Sequence, residues 1–220
     1  MIDIKDLQKT YTGTGHPVQA VNRVSAQFRD GDFVSIVGHS GSGKSTFLSM
    51  VGGILRPDAG TVILDGKDLW SYTDVERSRV RNRQFAFVYQ FASLLPTLTT
   101  EENVLLPTIF GGSASLADAE RLLELVGLKD KIGRFPGELS GGEQQRVAIA
   151  RAFINNPSVI LADEPTGDLD EETEAEIMNF FGRANRDRKV TIIMVTHNTD
   201  LASRASRRFR MKHGVLEEYA

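Results

Sequence analysis

The sequence predicts an α/β protein: a parallel sheet covered by helices on both faces and interrupted by a small helical insertion. Three observations carry this expectation. Short apolar runs recur at Phe33-Val34-Ser35-Ile36-Val37, Phe85-Ala86-Phe87-Val88, Val159-Ile160-Leu161-Ala162 and Val190-Thr191-Ile192-Ile193-Met194-Val195, with helical patterns between them. Strands that are apolar on successive residues are buried on both faces, as in a parallel sheet layered between helices. A glycine-rich loop joins the first of these runs to a helical stretch at 46–51, and strand signals vanish over 91–139.

Taken in chain order, Ile2-Asp3-Ile4 alternates as a strand, Tyr11 and a turn at Gly13-Thr14-Gly15 follow, and 20–28 is a second strand. Asp30-Gly31 then turns into the strand at 33–37. Within the insertion, 101–109 and 117–126 are short helices amid Pro96, Pro107, Gly111-Gly112 and Pro136-Gly137. The tail, 209–219, is a hairpin turning near His213-Gly214. No repeat or low-complexity segment is visible.

Composition narrows the function. With 220 residues, 40% of them hydrophobic and 25% charged, the chain is expected to form one compact unit. No apolar run approaches the roughly 18–20 residues of a membrane helix and no leader is visible, so a protein that stays on the side where it is made is expected. Zero cysteines exclude disulfides, thiol nucleophiles and cysteine zinc sites, which fits a cytoplasmic location. A formal charge of −3 gives no overall attraction to nucleic acid. Arginines cluster at Arg77, Arg79, Arg81 and Arg83 and at Arg204, Arg207, Arg208 and Arg210. These runs are expected to be solvated faces, the other reading being contact with an acidic partner surface or lipid headgroups.

Gly38-His39-Ser40-Gly41-Ser42-Gly43-Lys44-Ser45, with Thr46 opening the helical run, has the strand before it and the helix after it that a phosphate-binding loop requires. Glycines permit positive φ and close backbone approach, so successive N–H groups can surround phosphate oxygens while the helix dipole adds positive potential. Lys44 can then reach the β- and γ-phosphates, and the Ser45 hydroxyl can hold Mg²⁺. Asp163 and Glu164 end an apolar strand that Pro165 stops. Adjacent strand residues face opposite sides, so one acid, Asp163, is expected at the metal and the other, Glu164, at the attacking water as general base. At Leu139-Ser140-Gly141-Gly142-Glu143-Gln144-Gln145-Arg146 the spacing of Ser140 and Glu143 is that of a capping box. A cap does not explain two consecutive glycines, which disfavour helix. Exposed N–H groups there make a second anion site, and since one cradle already exists, the second makes most sense closing on a nucleotide held by another molecule.

Together with Gln90, Gly167-Asp168-Leu169-Asp170 and His197 after Val195-Thr196, these motifs resemble the nucleotide-binding domain of ABC ATPases, in order and spacing over essentially the whole chain. In finer detail the chain is similar to the branch containing lipoprotein-release, macrolide-export and cell-division FtsE-type ATPases. The cues are 33–38, Asn103-Val104-Leu105-Leu106-Pro107, 144–152 and 161–167. The resemblance implies a P-loop NTPase, RecA-like core with an N-terminal antiparallel β subdomain. It further implies one domain, 1–220, in which 1–90 and 146–220 form the core and about 91–145 the helical subdomain ending in the signature. ATP and Mg²⁺ are the implied cofactors.

Under that resemblance Tyr11 stacks on adenine, although a tyrosine there, taken alone, is more often core. Gln90 reaches Mg²⁺ and the attacking water at the entry to the helical subdomain. Ser140, Gly141 and Gly142 touch the γ-phosphate bound by the opposite chain, and Asp170 lies across the dimer seam or else caps the helix from Glu171. His197 contacts the γ-phosphate and orients water with Glu164. The implied function is an ATP-hydrolysing subunit, peripheral at the inner face of the cell membrane. Two copies would meet head to tail and drive an integral membrane permease, for export or extrusion of lipoprotein or macrolide type. The alternative is mechanical gating of a membrane partner without transport. Two departures stand out: Asp168 adds an acid to the seam motif, and the helical subdomain looks short for this branch. A DNA- or ribosome-acting relative would need a coiled-coil insertion or second cassette for which 220 residues leave no room. A P-loop kinase would explain neither 139–143 nor His197.

Overall fold

A computed structural model describes residues 1–13, 16–167 and 169–219. Its centre is a six-stranded sheet in the order β10-β9-β3-β8-β7-β6. The strands are β3 (Phe33–Val37), β6 (Phe85–Val88), β7 (Val159–Asp163), β8 (Thr191–Thr196), β9 (Arg207–Lys212) and β10 (Val215–Tyr219). All are parallel except β10, which pairs antiparallel with β9 across the turn at His213 and Gly214. The predicted continuous apolar pattern has the predicted cause. Ile160, Ala162, Ile192 and Met194 point into one core cluster, while Val159, Leu161, Ile193 and Val195 point into the other. The sheet is therefore sandwiched between two hydrophobic layers.

The second layer is closed by α1 (Lys44–Val51) and a four-stranded antiparallel sheet ordered β2-β1-β4-β5. Its strands are β1 (Ile2–Tyr11), β2 (Val18–Phe28), β4 (Ala59–Leu64) and β5 (Lys67–Asp68). β1 runs well beyond the predicted 2–4, with register shifts along both of its pairings that let it curve over the core. The predicted turn at 13–15 falls at Thr14 and Gly15, outside the described residues. β4, β5 and α2 (Asp74–Gln84) had no clear sequence signal. α2 buries no residue of its own and is held by its ends: a capping box between Thr73 and Glu76, acids in the first turn and Arg81 and Arg83 in the last. Its arginines are only partly a solvated face. Arg77 lies over the Trp70 ring at 4.4 Å and donates to Tyr72 O, and Arg81 donates to Gly53 O. In the tail, Arg207 bridges Asp32 and Glu218.

The other layer holds α3 (Thr100–Leu105), α4 (Leu116–Leu125), α5 (Gly141–Phe153) and α6 (Glu171–Arg188); α7 (Thr199–Ala202) follows β8. The predicted helix at 101–109 splits into α3 and a 3-10 turn at Leu106–Phe110. Pro107, which has no N–H to donate, sits at the start of that turn. No helix among the described residues is long and apolar enough to cross a membrane.

Phe47 of α1 is fully buried between the two sheets. Phe47→Ala is expected to cost about 3–5 kcal/mol of unfolding free energy in a denaturant titration; a loss below about 1 kcal/mol would show that α1 is not packed as described.

Candidate functional site

β3, β8 and β7 lie side by side in register, Val37 opposite Thr196 and Val195 opposite Asp163. The segments that leave these strands therefore emerge together: the loop 38–43, Glu164 and His197.

The loop 38–43 enters α1 through Gly43, the N-cap, at φ 105°, with no side chain capping the helix. The first-turn N–H groups of an α-helix have no intrahelical partners, so those of α1 are open to an anion. Gly43 is forced. A Cβ there would meet Ala20 O at 1.9 Å, and its φ lies in the left-handed region. Lys44 is buried and its Nζ donates to Gly38 O (2.8 Å) and His39 O (3.2 Å), folding the ammonium back over the loop. The Ser42 hydroxyl is buried without a hydrogen-bond partner, an arrangement that a phosphate oxygen would satisfy. Gly41 faces open space, and His39 and Ser40 are exposed.

Asp163 ends β7, where burial raises its carboxyl above the usual range and a hydrogen bond with Ser45 opposes that. A hydroxyl and a carboxylate, with no cluster of three or more acidic or imidazole ligands among the described residues, is the hard-oxygen donor set of Mg²⁺ held jointly by protein and phosphates. The residues fit that ion. Glu164 does not continue the strand, so the pleat does not separate the two acids as expected. Its φ is 48°, and the left-handed turn swings the side chain toward β8. There Oε2 accepts from the His197 backbone N–H (3.2 Å) and lies 3.0 Å from His197 Nδ1. An ionised carboxylate only accepts, so Nδ1 carries the proton and Nε2 is left for another partner. Non-glycine residues in this region are uncommon and cluster at functional sites.

Gln90 follows β6, and its amide nitrogen lies 3.5 Å from where a Cβ on Gly167 would be. Tyr11 ends β1 and is 45% exposed, so it is not a core residue. Across the molecule, Ser140 and Glu143 close the predicted capping box at the start of α5. A Cβ on Gly141 would meet nothing within 4 Å, so the fold does not demand glycine there. One on Gly142 would lie 3.3 Å from Thr173, whose backbone N–H and hydroxyl both donate to Asp170. Asp170 thus caps α6 beside the start of α5, while Asp168 lies outside the described residues. α1 packs on β7 and β8, whereas α5 packs on α3, α4 and β6, so the two helix starts belong to different parts of the molecule.

Sequence reasoning gave Gln145, Arg151 and Asn103 no role of their own. Asn103 is fully buried and donates to Leu95 O, Leu98 O and Thr99 O. Arg151 donates to Ala92 O and Ser93 O, and Gln145 to Tyr89 O and Pro165 O. The signal was present as a polar residue on an apolar helix face: Gln145 precedes Ala148, Ile149 and Ala152 at helical spacing. For the loop 38–43, Gly43→Ala is expected to abolish binding of a fluorescent ATP analogue, since the carbonyl of Ala20 blocks the cradle. Unchanged affinity would show that the loop does not shape the anion site.

The ABC transporter family model matches residues 21–167. The chain is 40% identical to the lipoprotein-releasing system ATP-binding protein LolD of Syntrophus aciditrophicus, over 98% of each chain. It is 40% identical to the ABC transporter ATP-binding protein YtrE of Bacillus subtilis, over 99% of this chain and 97% of that one. A macrolide export ATP-binding/permease protein, MacB of Syntrophobacter fumaroxidans, is 42% identical, but this chain spans only 31% of its length. Among solved structures, a dimeric ATP-binding cassette in a post-hydrolysis state with ADP and phosphate superposes with a TM-score of 0.93 at 38% identity, covering 100% of this chain and 98% of that one. The predicted P-loop NTPase fold is the observed one, and the chain belongs to the ABC transporter family as an ATP-binding, ATP-hydrolysing component.

Proposed function

We propose that this ATPase completes its active site by pairing with a second copy of itself and thereby drives a membrane permease. The observation that carries the reading is the exposed start of α5: Gly141 stands at a helix position where glycine is unfavourable, faces open space, and lies on elements other than those that hold the phosphate loop. The similar cassette solved as a dimer with ADP and phosphate supports it.

In this reading the N–H groups of 41–46 and Lys44 hold the β- and γ-phosphates, and Tyr11 stacks on adenine. Ser45, Asp163 and Gln90 would hold Mg²⁺, which when bound neutralises charge on the phosphates. Glu164 polarises the attacking water as general base. His197, fixed through Nδ1 on the Glu164 carboxylate, presents Nε2 to the γ-phosphate. The partner copy brings its Ser140, Gly141 and Gly142 against the same γ-phosphate and its Asp170 to the seam. Two-fold symmetry makes the second site identical. Phosphate loss removes attraction on both sides of the seam, and the dimer opens.

Residues 91–145 act as the helical unit that passes this motion to the permease. A groove of about 570 Å³ between Pro107 and Phe110 of this unit and the core supports that role, and Phe85, Phe87, Arg79, Arg81 and Arg151 also line it. Ile109 and Phe110 are 75% and 70% exposed beside it, and exposed apolar clusters of this kind mark interaction surfaces. The three arginines suit an acidic, partly apolar cytoplasmic segment of a permease, and in this reading the chain lies peripherally at the inner membrane face. The relatives named for lipoprotein release and macrolide export support extrusion as the transport class.

Glu164→Gln is expected to retain ATP binding, to lower hydrolysis by about 10²–10⁴-fold, and to form an ATP-dependent dimer visible by light scattering. A variant that binds ATP but hydrolyses it at the unaltered rate would remove Glu164 from the chemistry.

A further inference from the structure

A single buried amide connects parts of the machinery that the chain keeps far apart in sequence. Gln145 lies in the second turn of α5 and is 2% exposed. Its Nε2 donates to Tyr89 O at 2.7 Å and to Pro165 O at 2.9 Å. Tyr89 immediately precedes Gln90, and Pro165 immediately follows Glu164. Both bonds come from the helix whose first residues are the exposed Gly141 and the half-buried Gly142.

We propose that Gln145 is a positioning residue for hydrolysis, which locks Gln90 and Glu164 to the start of α5 so that closure of a second copy on Ser140–Gly142 is felt at the water-activating groups. The inference rests on the ATPase reading above and deepens it by naming the link inside one chain between the surface that meets the partner and the residues that act on water.

The surrounding contacts give the link direction. Gln144, next in the same helix, donates to Pro136 O and Leu139 O and so ties α5 to the segment before the signature. One and a half turns further on, Arg151 donates to Ala92 O and Ser93 O. The stretch 89–93 therefore hangs from α5 at both ends, and a shift of α5 carries it along. Pro165 offers no N–H and sits behind a Glu164 held in the left-handed region. Of that turn's polar groups, the Pro165 carbonyl is the one that α5 can grip, and it is buried with its partner. Neither carbonyl belongs to a helix or sheet ladder, and among the described residues no other donor reaches either, so removing the amide takes away the donor that both share. The backbone next to Gln90 and Glu164 then becomes free to drift by fractions of an ångström, on which alignment of an attacking water depends.

The test uses two variants of nearly equal volume in the full chain, Gln145→Leu and Gln145→Glu, assayed well below their measured melting temperatures. Gln145→Leu is expected to lower kcat about 10- to 100-fold while KM and the affinity for a non-hydrolysable ATP analogue stay within about threefold, because water alignment and not phosphate binding is lost. In Gln145→Glu the introduced carboxyl is buried, so its pKa rises. Protonated, it can donate to one of the two carbonyls; ionised, it repels both. Its kcat relative to wild type is therefore expected to climb as pH falls from about 8 to about 6, a trend that a role in folding alone would not produce at a temperature where the variant is fully folded. Unchanged kcat in Gln145→Leu, beside an inactive Glu164→Gln, would overturn the inference and leave the ATPase reading standing. Parallel loss of nucleotide affinity and kcat, with a flat relative pH profile, would also overturn it. Hydrolysis by Glu164→Gln at the wild-type rate would overturn the reading on which it rests.

Discussion

Three parallel strands ending at the same level impose everything else on this molecule. Because β3, β8 and β7 are in register, the groups that follow them have no choice but to converge: the phosphate loop and α1 after β3, His197 after β8, Glu164 after β7. The hydrogen bond from Glu164 N to Val195 O, 3.0 Å, continues the ladder one step past β7 and fixes the acid beside the residue that will orient it. The strands can hold that alignment because both their faces are buried, one against α1 and the antiparallel sheet, the other against the helices around α5 and α6.

In the proposed reading the converged site is half a site. It offers the first-turn N–H groups of α1, the Lys44 ammonium, the Ser42 and Ser45 hydroxyls and the side chains of Asp163, Glu164 and Gln90. The compensating half, the start of α5, sits on other elements and faces outward. Transfer of the γ-phosphoryl group to water, with ADP as the leaving group, develops negative charge that donors on both sides stabilise, and in the proposed reading a symmetric pair of copies supplies them with a single interface. Gln145 matters in this scheme because its two hydrogen bonds join the outward half of one copy to the backbone beside that copy's own Gln90 and Glu164.

Much of this was legible in the residues because it depends on local pattern. The apolar strands, the glycine loop between strand and helix, the paired acids and the Ser140–Glu143 box are each short motifs whose physics is complete within a few residues. Tyr11 and Asp170 were ambiguous and the structure decides their local state: Tyr11 is exposed, and Asp170 caps α6. What stayed hidden depends on distant partners. α2 has no buried face to imprint a periodicity, β4 forms by adding to β1 and β5 by adding to β4, and Pro107 turns one expected helix into two pieces. The left-handed Glu164 overrode the simple alternation of a strand, and Gln145 looked like one more polar helix residue because its acceptors lie 56 and 20 residues away.

The most direct test of a site shared between two copies is to mix two inactive variants, Lys44→Ala and Ser140→Arg, in equal amounts and measure ATP hydrolysis. If each site combines the phosphate loop of one copy with the α5 start of the other, mixed dimers contain one doubly defective and one intact site, and the mixture should recover up to about a quarter of wild-type activity. A mixture as inactive as its two components would contradict the account, placing Lys44 and Ser140 in service of the same site within one chain.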